Sequence, residues 1–399
     1  MLLTHLSLTN FRLYARLELD LPARLIIIKG DNAQGKTSLL EAIYFLATAH
    51  SPSTSTDRQI IRWGAEEDNP FPYAMLRATV QTTNGTHLLE MMVQKGEGNR
   101  VKKEIRIDRT PRRIVDLVGK LSVVLFLPSD VDIVGGAPIL RRDFLDQAIS
   151  QVDARYVQAL DRYEKTLTQR NALLRQASER RVDPDELAIW DEQLAPDAVQ
   201  ISLMRRQALS EMTQFAFPLH RELSNSAEFL QIIYSPSFDA TRPPAIDAGY
   251  QIGFDTSHPP EGMGEGDLQQ AFLSMLHQRR AEEFARGITL TGPHRDEFRF
   301  LSNGIDLGEF GSRGQQRTAV LALKLAQVAW IRERIHDEPV LLLDEVLAEL
   351  DPHRRACLLQ HIAGSQQTLI TTTDLSRIEQ ERIAAAEMLT VHQGIVTNR

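Results

Sequence analysis

Eight residues, Gly30-Asp31-Asn32-Ala33-Gln34-Gly35-Lys36-Thr37, satisfy the spacing G-x-x-x-x-G-K-[ST] at every specified position. Glycines in such a loop let successive backbone N–H groups curl around phosphate oxygens. The lysine neutralises β- and γ-phosphates, and the final hydroxyl ligates Mg²⁺. Average residue usage would produce the pattern by chance in about one to two per cent of chains of this length. The loop predicts ATP as ligand, with Mg²⁺. A second candidate is the run Val340-Leu341-Leu342-Leu343 followed by Asp344-Glu345. A buried strand there delivers Asp344 to the Mg²⁺ shell, and Glu345 can polarise an attacking water. The bland alternative is a carboxylate pair that caps the next helix. The third is Ser312-Arg313-Gly314-Gln315-Gln316. A helix N-terminus bearing a serine hydroxyl and a glycine amide is an anion site, although a plain serine N-cap has the same composition. Its place just ahead of the Asp344-Glu345 strand favours the anion site.

The elements that must position these groups are legible. Leu2 to Leu8 and the alternation of Leu17, Leu19 and Leu21 with Glu18 and Asp20 read as strands, the second half-buried. Leu25-Ile26-Ile27-Ile28 is apolar throughout, as in a strand covered on both faces, and leads into the glycine loop. Ser38 to Ala49 has helical spacing. Tyr73 to Asp108 reads as antiparallel hairpins punctuated by Asn84-Gly85 and by Gly96 to Asn99, and Ser122 to Leu127 as another buried strand. From Ile139 to about Phe217 the pattern is helical and charged, with a polar break at Glu179 to Asp185, which reads as a helical hairpin or short arm. A Gly/Pro-rich stretch, roughly Pro243 to Asp267, precedes a helix from Leu268 to Gly287. A glycine turn at Gly311 to Gly314 opens a helix ending near Ile335, and Thr368 to Thr373 reads as a last buried strand. One α/β core assembled from both ends of the chain, with a helical insertion, follows.

The order of motifs, from the glycine loop through S-R-G-Q-Q and the strand ending in Asp344-Glu345 to Glu349-Leu350-Asp351, resembles that of ABC-type ATPases. The resemblance implies a head-to-tail homodimer that sandwiches two nucleotides. Lys36 and Glu345 are then catalytic, Thr37 and Asp344 hold Mg²⁺, and Ser312, Gly314, Gln315 and Asp351 act in trans. Leu8-Thr9-Asn10-Phe11-Arg12-Leu13-Tyr14 is similar to the opening of the SMC-like branch of that family and adds Arg12 to the ATP-binding residues. Phe126 to Val131, Leu140 to Asp146, Gln169 to Leu174, Thr291 to Asp296 and Thr371 to Leu375 resemble the bacterial recombination-mediator ATPases of that branch. These marks span nearly the whole chain. They imply an α/β fold: an ABC-type ATPase head, comprising a P-loop α/β core with an antiparallel β subdomain, plus an inserted helical domain with a short arm. Residues 1–127 and 287–399 would form the ATPase lobe and 128–286 the insertion. They imply further a weak, DNA-stimulated ATPase acting as a timer, binding to gapped, single-stranded or junction DNA, and the mediator proteins RecR and RecO as partners. A role in recombinational repair, replication restart and the SOS response goes with them. Two departures stand out. Ala348 replaces the serine usual before Glu349-Leu350-Asp351, and Thr371 to Asp374 stand where transporters carry a histidine.

The composition is that of an ordinary globular protein, with 42 % apolar and 25 % charged residues. Cys357 is the only cysteine, so no internal disulfide is available and a reducing compartment is expected. The sequence has no membrane-length apolar run and no signal-peptide pattern, which predicts a cytoplasmic protein. A net charge of −8 excludes a uniformly basic nucleic-acid binder, leaving local patches. One lies between Lys95 and Arg113, where Lys95, Arg100, Lys102, Lys103, Arg106, Arg109, Arg112 and Arg113 face only Glu97, Glu104 and Asp108. Lys102, Lys103, Arg109, Arg112 and Arg113 are the candidate DNA contacts, with a solvated hairpin face as the alternative. No aromatic interleaving marks a single-strand stacking platform, and no base-reading motif is present. His353, Cys357 and His361 recur at four-residue spacing on one helical face, but no fourth metal ligand is evident. Two rivals use the same glycine loop. A small-molecule kinase would leave Ser312 to Gln316 without a role, and a nucleotide-gated scaffold would make hydrolysis irrelevant.

Overall fold

The computed structural model describes residues 1–21, 24–54, 56–65, 71–96, 101–176, 184–240 and 263–398. The chain opens with β1 (Leu2–Phe11) and β2 (Tyr14–Asp20), then β3 (Leu25–Lys29), whose three central isoleucines are fully buried. The glycine loop follows, and α1 (Lys36–Thr48) starts directly from it. Next come β4 (Tyr73–Thr82), β5 (Gly85–Lys95), β6 (Val101–Ile107), β7 (Thr110–Arg112) and β8 (Val123–Phe126). The β6–β7 turn has Asp108 and Arg109 at its centre, both at positive φ, the signature of a tight hairpin turn whose twist matches its strands.

The middle of the chain is helical. It contains α2 (Pro138–Ser150), α3 (Ala154–Gln176), α4 (Pro184–Leu223), β9 (Leu230–Ser235), α5 (Glu265–Arg286), β10 (Glu297–Ser302), β11 (Ile305–Asp306) and α6 (Arg313–Ile335). The last part returns to α/β with β12 (Val340–Asp344), α7 (Pro352–Ile362), β13 (Thr368–Thr372), β14 (Glu387–His392) and β15 (Ile395–Asn398). Most of the polar break expected in the arm, and most of the Gly/Pro-rich stretch, lie outside the described residues.

Two compact units result, 1–130 with 324–399, and 131–323. In the first, one sheet has strand order β15-β14-β3-β13-β12-β8, parallel except for β15 at its edge. The other sheet, β2-β1-β4-β5-β6-β7, is antiparallel throughout. α1 packs against strands of both, and one continuous apolar cluster unites them, from Leu3 and Phe11 through Ile43 and Phe45 to Leu342 and Leu389. The second unit holds α2 to α5 and a small antiparallel sheet, β11-β10-β9.

That sheet corrects the expected domain boundary. Order along the chain places residues 287–323 in the ATPase lobe. Instead β10 pairs with β9 from Glu297↔Ser235 to Ser302↔Leu230, so these residues, the Ser312 turn included, belong to the second unit. Within that unit Arg170, fully buried on α3, donates to Asp191 on α4 at 2.7 Å, to Glu283 on α5 at 2.6 Å and to Thr289 at 2.7 Å.

Candidate nucleotide site

The parallel sheet brings the first two motifs together. β3 and β12 flank β13, in the registers Ile370↔Ile27 and Asp344↔Thr371, so the strand ends that carry Gly30 and Asp344 emerge on one edge. Clefts at the carboxyl ends of parallel strands are where α/β sheets bind ligands.

The glycine loop requires its residue types. A side chain at Gly30 would place Cβ 2.5 Å from the Val391 carbonyl oxygen. Gly35 sits at φ +114°, in the left-handed region, where an added Cβ would also press on the Tyr14 hydroxyl at 3.1 Å. That hydroxyl, on a fully buried ring, donates to the Gly35 carbonyl at 2.9 Å. Gln34 moors the loop to the β14–β15 turn: its side-chain oxygen accepts from Gln393 N–H at 2.7 Å and its carbonyl from Gly394 N–H at 3.0 Å. Ala33 also adopts positive φ, +62°. Asp31 and Asn32 are exposed at the rim.

Five side chains meet at the loop's end. Lys36, almost entirely buried, donates from Nζ to the carbonyls of Gly30 at 2.7 Å and Asp31 at 2.9 Å. Thr37 Oγ1 donates to Asp344 Oδ2 at 2.8 Å, and Thr371 Oγ1 donates to Asp344 Oδ1 at 2.7 Å. Burial raises the Asp344 carboxyl above its ordinary range, and these two hydroxyl bonds offset only part of that cost. Glu345 lies in left-handed conformation, φ +53°, which costs a non-glycine residue about 1–2 kcal/mol. Its N–H donates to Thr371 Oγ1 at 3.0 Å, while Thr373 N–H reaches its Oε2 at 3.3 Å. Its Oε1 lies 3.1 Å from Lys36 Nζ, outside hydrogen-bond geometry, and is buried without a hydrogen-bond partner. Strain at a half-buried carboxylate with one under-satisfied oxygen beside a lysine is what a reactive site looks like.

Arg12 is tied to α1. Its guanidinium donates to both carboxylate oxygens of Glu41, at 2.8 and 2.6 Å, and to the Gln59 carbonyl at 2.8 Å. Burial alone would raise the Glu41 carboxyl, but bonds from Arg12, Ser51 and Ser53 outweigh it and hold it below its usual range. Asp351 caps α7, accepting from Arg354 N–H at 3.0 Å, which lowers its carboxyl. Ala348 has no hydroxyl; its carbonyl accepts from Arg377 at 2.7 Å and its N–H donates to the Glu345 carbonyl at 3.0 Å.

In the second unit, Ser312 and Gln315 form a reciprocal cap at the start of α6. Gln315 N–H donates to Ser312 Oγ at 3.2 Å, and Ser312 N–H donates to Gln315 Oε1 at 2.9 Å. The plain capping role therefore holds, and the Ser312 O–H keeps its own proton to donate. Gly314 N–H belongs to the same first turn.

The basic hairpin divides by strand pleat. Lys103, with Ile105 and Ile107, faces inward. It pairs with Asp57 at 2.9 Å, lies 4.9 Å over the Phe45 ring and is only 18 % exposed. Lys102, 71 % exposed and 2.7 Å from Glu104, faces out with Arg106. Lys103 therefore has a structural role, pairing with Asp57 against the Phe45 ring. Period-two alternation in β6 is the signal that separates the two lysines. Arg109, Arg112 and Arg113 are exposed, whereas Arg100 lies outside the described residues. Cys357 is buried on α7 with Sγ 3.8 Å from His353 Nε2; among the described residues no three His, Cys, Asp or Glu side chains are grouped to hold a metal.

In the sequence Thr371 stands in the last buried strand, where transporters place a histidine; its bonds to Asp344 and Glu345 leave no local mark. The bonds of Tyr14 to Gly35, of Gln34 to the β14–β15 turn and of Gln315 to Glu228 had no local signal, because each joins groups far apart in the chain.

Comparison with known proteins gives a consistent result. The RecF/RecN/SMC N-terminal domain family matches residues 2–397. The DNA replication and repair protein RecF of Chloroflexus aurantiacus is 43 % identical over 98 % of both chains. That of Geobacillus kaustophilus is 39 % identical, covering 100 % of this chain and 99 % of its own. The solved structure of the recombination mediator protein RecF with ATP, from the RecFOR pathway, superposes with a TM-score of 0.84 at 30 % identity, covering 100 % of this chain and 97 % of that one.

Proposed function

The chain belongs to the RecF/RecN/SMC family and stands with its RecF members, an ATP-binding, ABC-type ATPase of DNA replication and repair, and from that premise we propose that it acts as an ATP-gated clamp on DNA in recombinational repair. The observation that carries the reading is the shared bond between Thr37 and Asp344 at 2.8 Å, beside a Glu345 with an unsatisfied buried oxygen. A hydroxyl and a carboxylate side by side are hard oxygen donors and suit Mg²⁺. Bound MgATP would supply the labile γ-phosphoryl group and the positive charge that stabilises its transfer.

This chain's own residues do the rest. Lys36 Nζ, now on two carbonyls of its own loop, exchanges them for phosphate oxygens, while loop N–H groups from Asn32 to Thr37 line the same anion. Thr37 and Asp344 hold the cation. Glu345 accepts a proton from water through Oε1, with Thr373 N–H steadying its other oxygen. Ser312, Gly314 and Gln315 of a second copy complete the site, and Asp351 lies along the same contact. ATP thereby joins two copies, and slow, DNA-stimulated hydrolysis releases them. Gapped, single-stranded or junction DNA is the proposed target, contacted in part by Lys102, Arg109, Arg112 and Arg113. RecR and RecO are the proposed partners, and recombinase loading, replication restart and the SOS response the proposed context. No helix among the described residues is long and apolar enough to cross a membrane, and a cytoplasmic site of action goes with this reading.

A Glu345→Gln protein tests it. With ATP at micromolar protein concentration, light scattering should record a dimer that persists because hydrolysis is blocked. A monomer with and without ATP overturns the sandwich, and a dimer that turns over at the parent rate removes Glu345 as the base. Phosphoryl transfer to a small hydroxylated acceptor would instead restore the kinase reading.

A further inference from the structure

The turn from Ser312 to Gln316, the signature turn, is held by a residue from elsewhere in its own unit. Gln315 Nε2 donates to Glu228 Oε1 at 2.9 Å, 87 residues away in sequence, while the other end of the same carboxamide accepts from Ser312 N–H at 2.9 Å. Glu228 is in turn placed by two further elements. Ser302, at the end of β10, donates to its Oε2 at 3.4 Å, and the fully buried His220, near the end of α4, has Nε2 3.7 Å from that oxygen.

A carboxylate can only accept, whereas a carboxamide has one donating and one accepting end. Rotating the Gln315 amide by half a turn would set its oxygen against the Glu228 carboxylate and its NH₂ against the Ser312 N–H. Both bonds would be replaced by like-to-like contacts. The loop on the other side is equally confined: a side chain at Gly311 would bring Cβ within 2.5 Å of the Leu307 carbonyl oxygen.

We infer that Glu228 is a positioning residue for the signature turn: by fixing which end of the Gln315 amide faces Ser312, it presents the first turn of α6 in the one arrangement that can receive a nucleotide phosphate. In that arrangement Ser312 Oγ is already engaged as acceptor, so its proton points to an incoming anion. The first-turn N–H groups beside it have no carbonyl within the helix to bond. The functional consequence rests on the sandwich reading above; the positioning itself rests on the second unit alone.

Two readouts in the full chain separate these. Without nucleotide, amide hydrogen exchange at Ser312 and Gln315 should quicken about tenfold in Glu228→Ala and return to the parent rate in Glu228→Gln, whose amide oxygen can still accept. In a Glu345→Gln background with ATP, Glu228→Ala should weaken dimer formation about tenfold while leaving the ATP affinity of a single copy unchanged. Adding Gln315→Ala to Glu228→Ala should cost no more than Gln315→Ala alone, since both remove one interaction. Unchanged exchange in Glu228→Ala, no rescue by Glu228→Gln, or additive losses overturn the inference. If exchange responds as stated but the Glu345→Gln parent never dimerises, the positioning stands and the sandwich falls.

Discussion

At the scale of single residues, the nucleotide site is held by bonds that pass through threonine hydroxyls and one tyrosine. Thr371 Oγ1 is the hub, since it accepts from Glu345 N–H and donates to Asp344. Thr371→Val leaves both buried groups without that partner. We expect a loss of about 1–3 kcal/mol of stability, and hydrolysis lowered about tenfold with ATP still bound; Thr371→Ser should recover both. A thermal melt and a steady-state phosphate-release assay check this, and wild-type turnover in Thr371→Val would remove the hub. Gly35→Ala meets two obstacles, the φ of +114° and the Tyr14 hydroxyl. Its ATP affinity, measured by titration calorimetry, should fall at least tenfold, given about 1–2 kcal/mol of backbone strain alone. Tyr14→Phe, which removes one hydrogen bond worth about 1 kcal/mol, should weaken ATP only about fivefold.

At the scale of elements, the pleat of β6 and the three-helix junction at Arg170 decide what a charge is for. Lys102→Glu should weaken DNA binding and reduce the salt dependence of the affinity by about one unit of slope. Lys103→Ala should leave DNA affinity unchanged and lower the melting temperature, because its ammonium neutralises Asp57 and covers Phe45. The opposite pattern, read by fluorescence anisotropy across a salt series, would put Lys103 back on the DNA surface. Arg170 ties α3, α4 and α5 through fully buried bonds. Removing one partner of a buried pair strands the others, at about 3–5 kcal/mol. Arg170→Ala should accordingly melt several degrees lower, whereas Lys165→Ala, whose pair with Asp161 is exposed on both sides, should barely shift.

At the scale of the whole molecule, acid should strike the second unit. His294 Nε2 donates to the Thr289 carbonyl at 3.1 Å and Nδ1 lies 2.6 Å from the Tyr163 hydroxyl, so the neutral ring is fully satisfied. Burial depresses its pKa from 6.5 to about 4. The unfolded chain then binds this proton more readily than the folded one, so stability is intact above pH 6.5 and declines as pH falls towards 4. The loss reaches about 3 kcal/mol at pH 4, at 1.36 kcal/mol per unit. His294→Gln should flatten the denaturation-midpoint profile over that window; an unchanged slope would assign the acid sensitivity elsewhere.

The sequence by itself determined the motifs. The glycine loop, Asp344-Glu345 and Ser312 to Gln316 are short, contiguous patterns, and strand and helix periods around them are local properties of the backbone. Even the fold class followed, because the cores of β3 and β12, Leu25 to Ile28 and Val340 to Leu343, are continuous apolar runs of a kind that a sheet covered on both faces uses. What only the tertiary structure decided is which distant groups share a bond. Thr371 meets Asp344 because β13 lies beside β12 in one register. Lys103 turns inward because β6 pairs with β5, and residues 287–323 leave the ATPase lobe because β10 finds β9. Glu228 finds Gln315 across 87 residues that carry no common period. Local patterns are set by covalent neighbours, whereas these partnerships are set by burial, which acts on the folded surface and leaves no spacing in the chain to read.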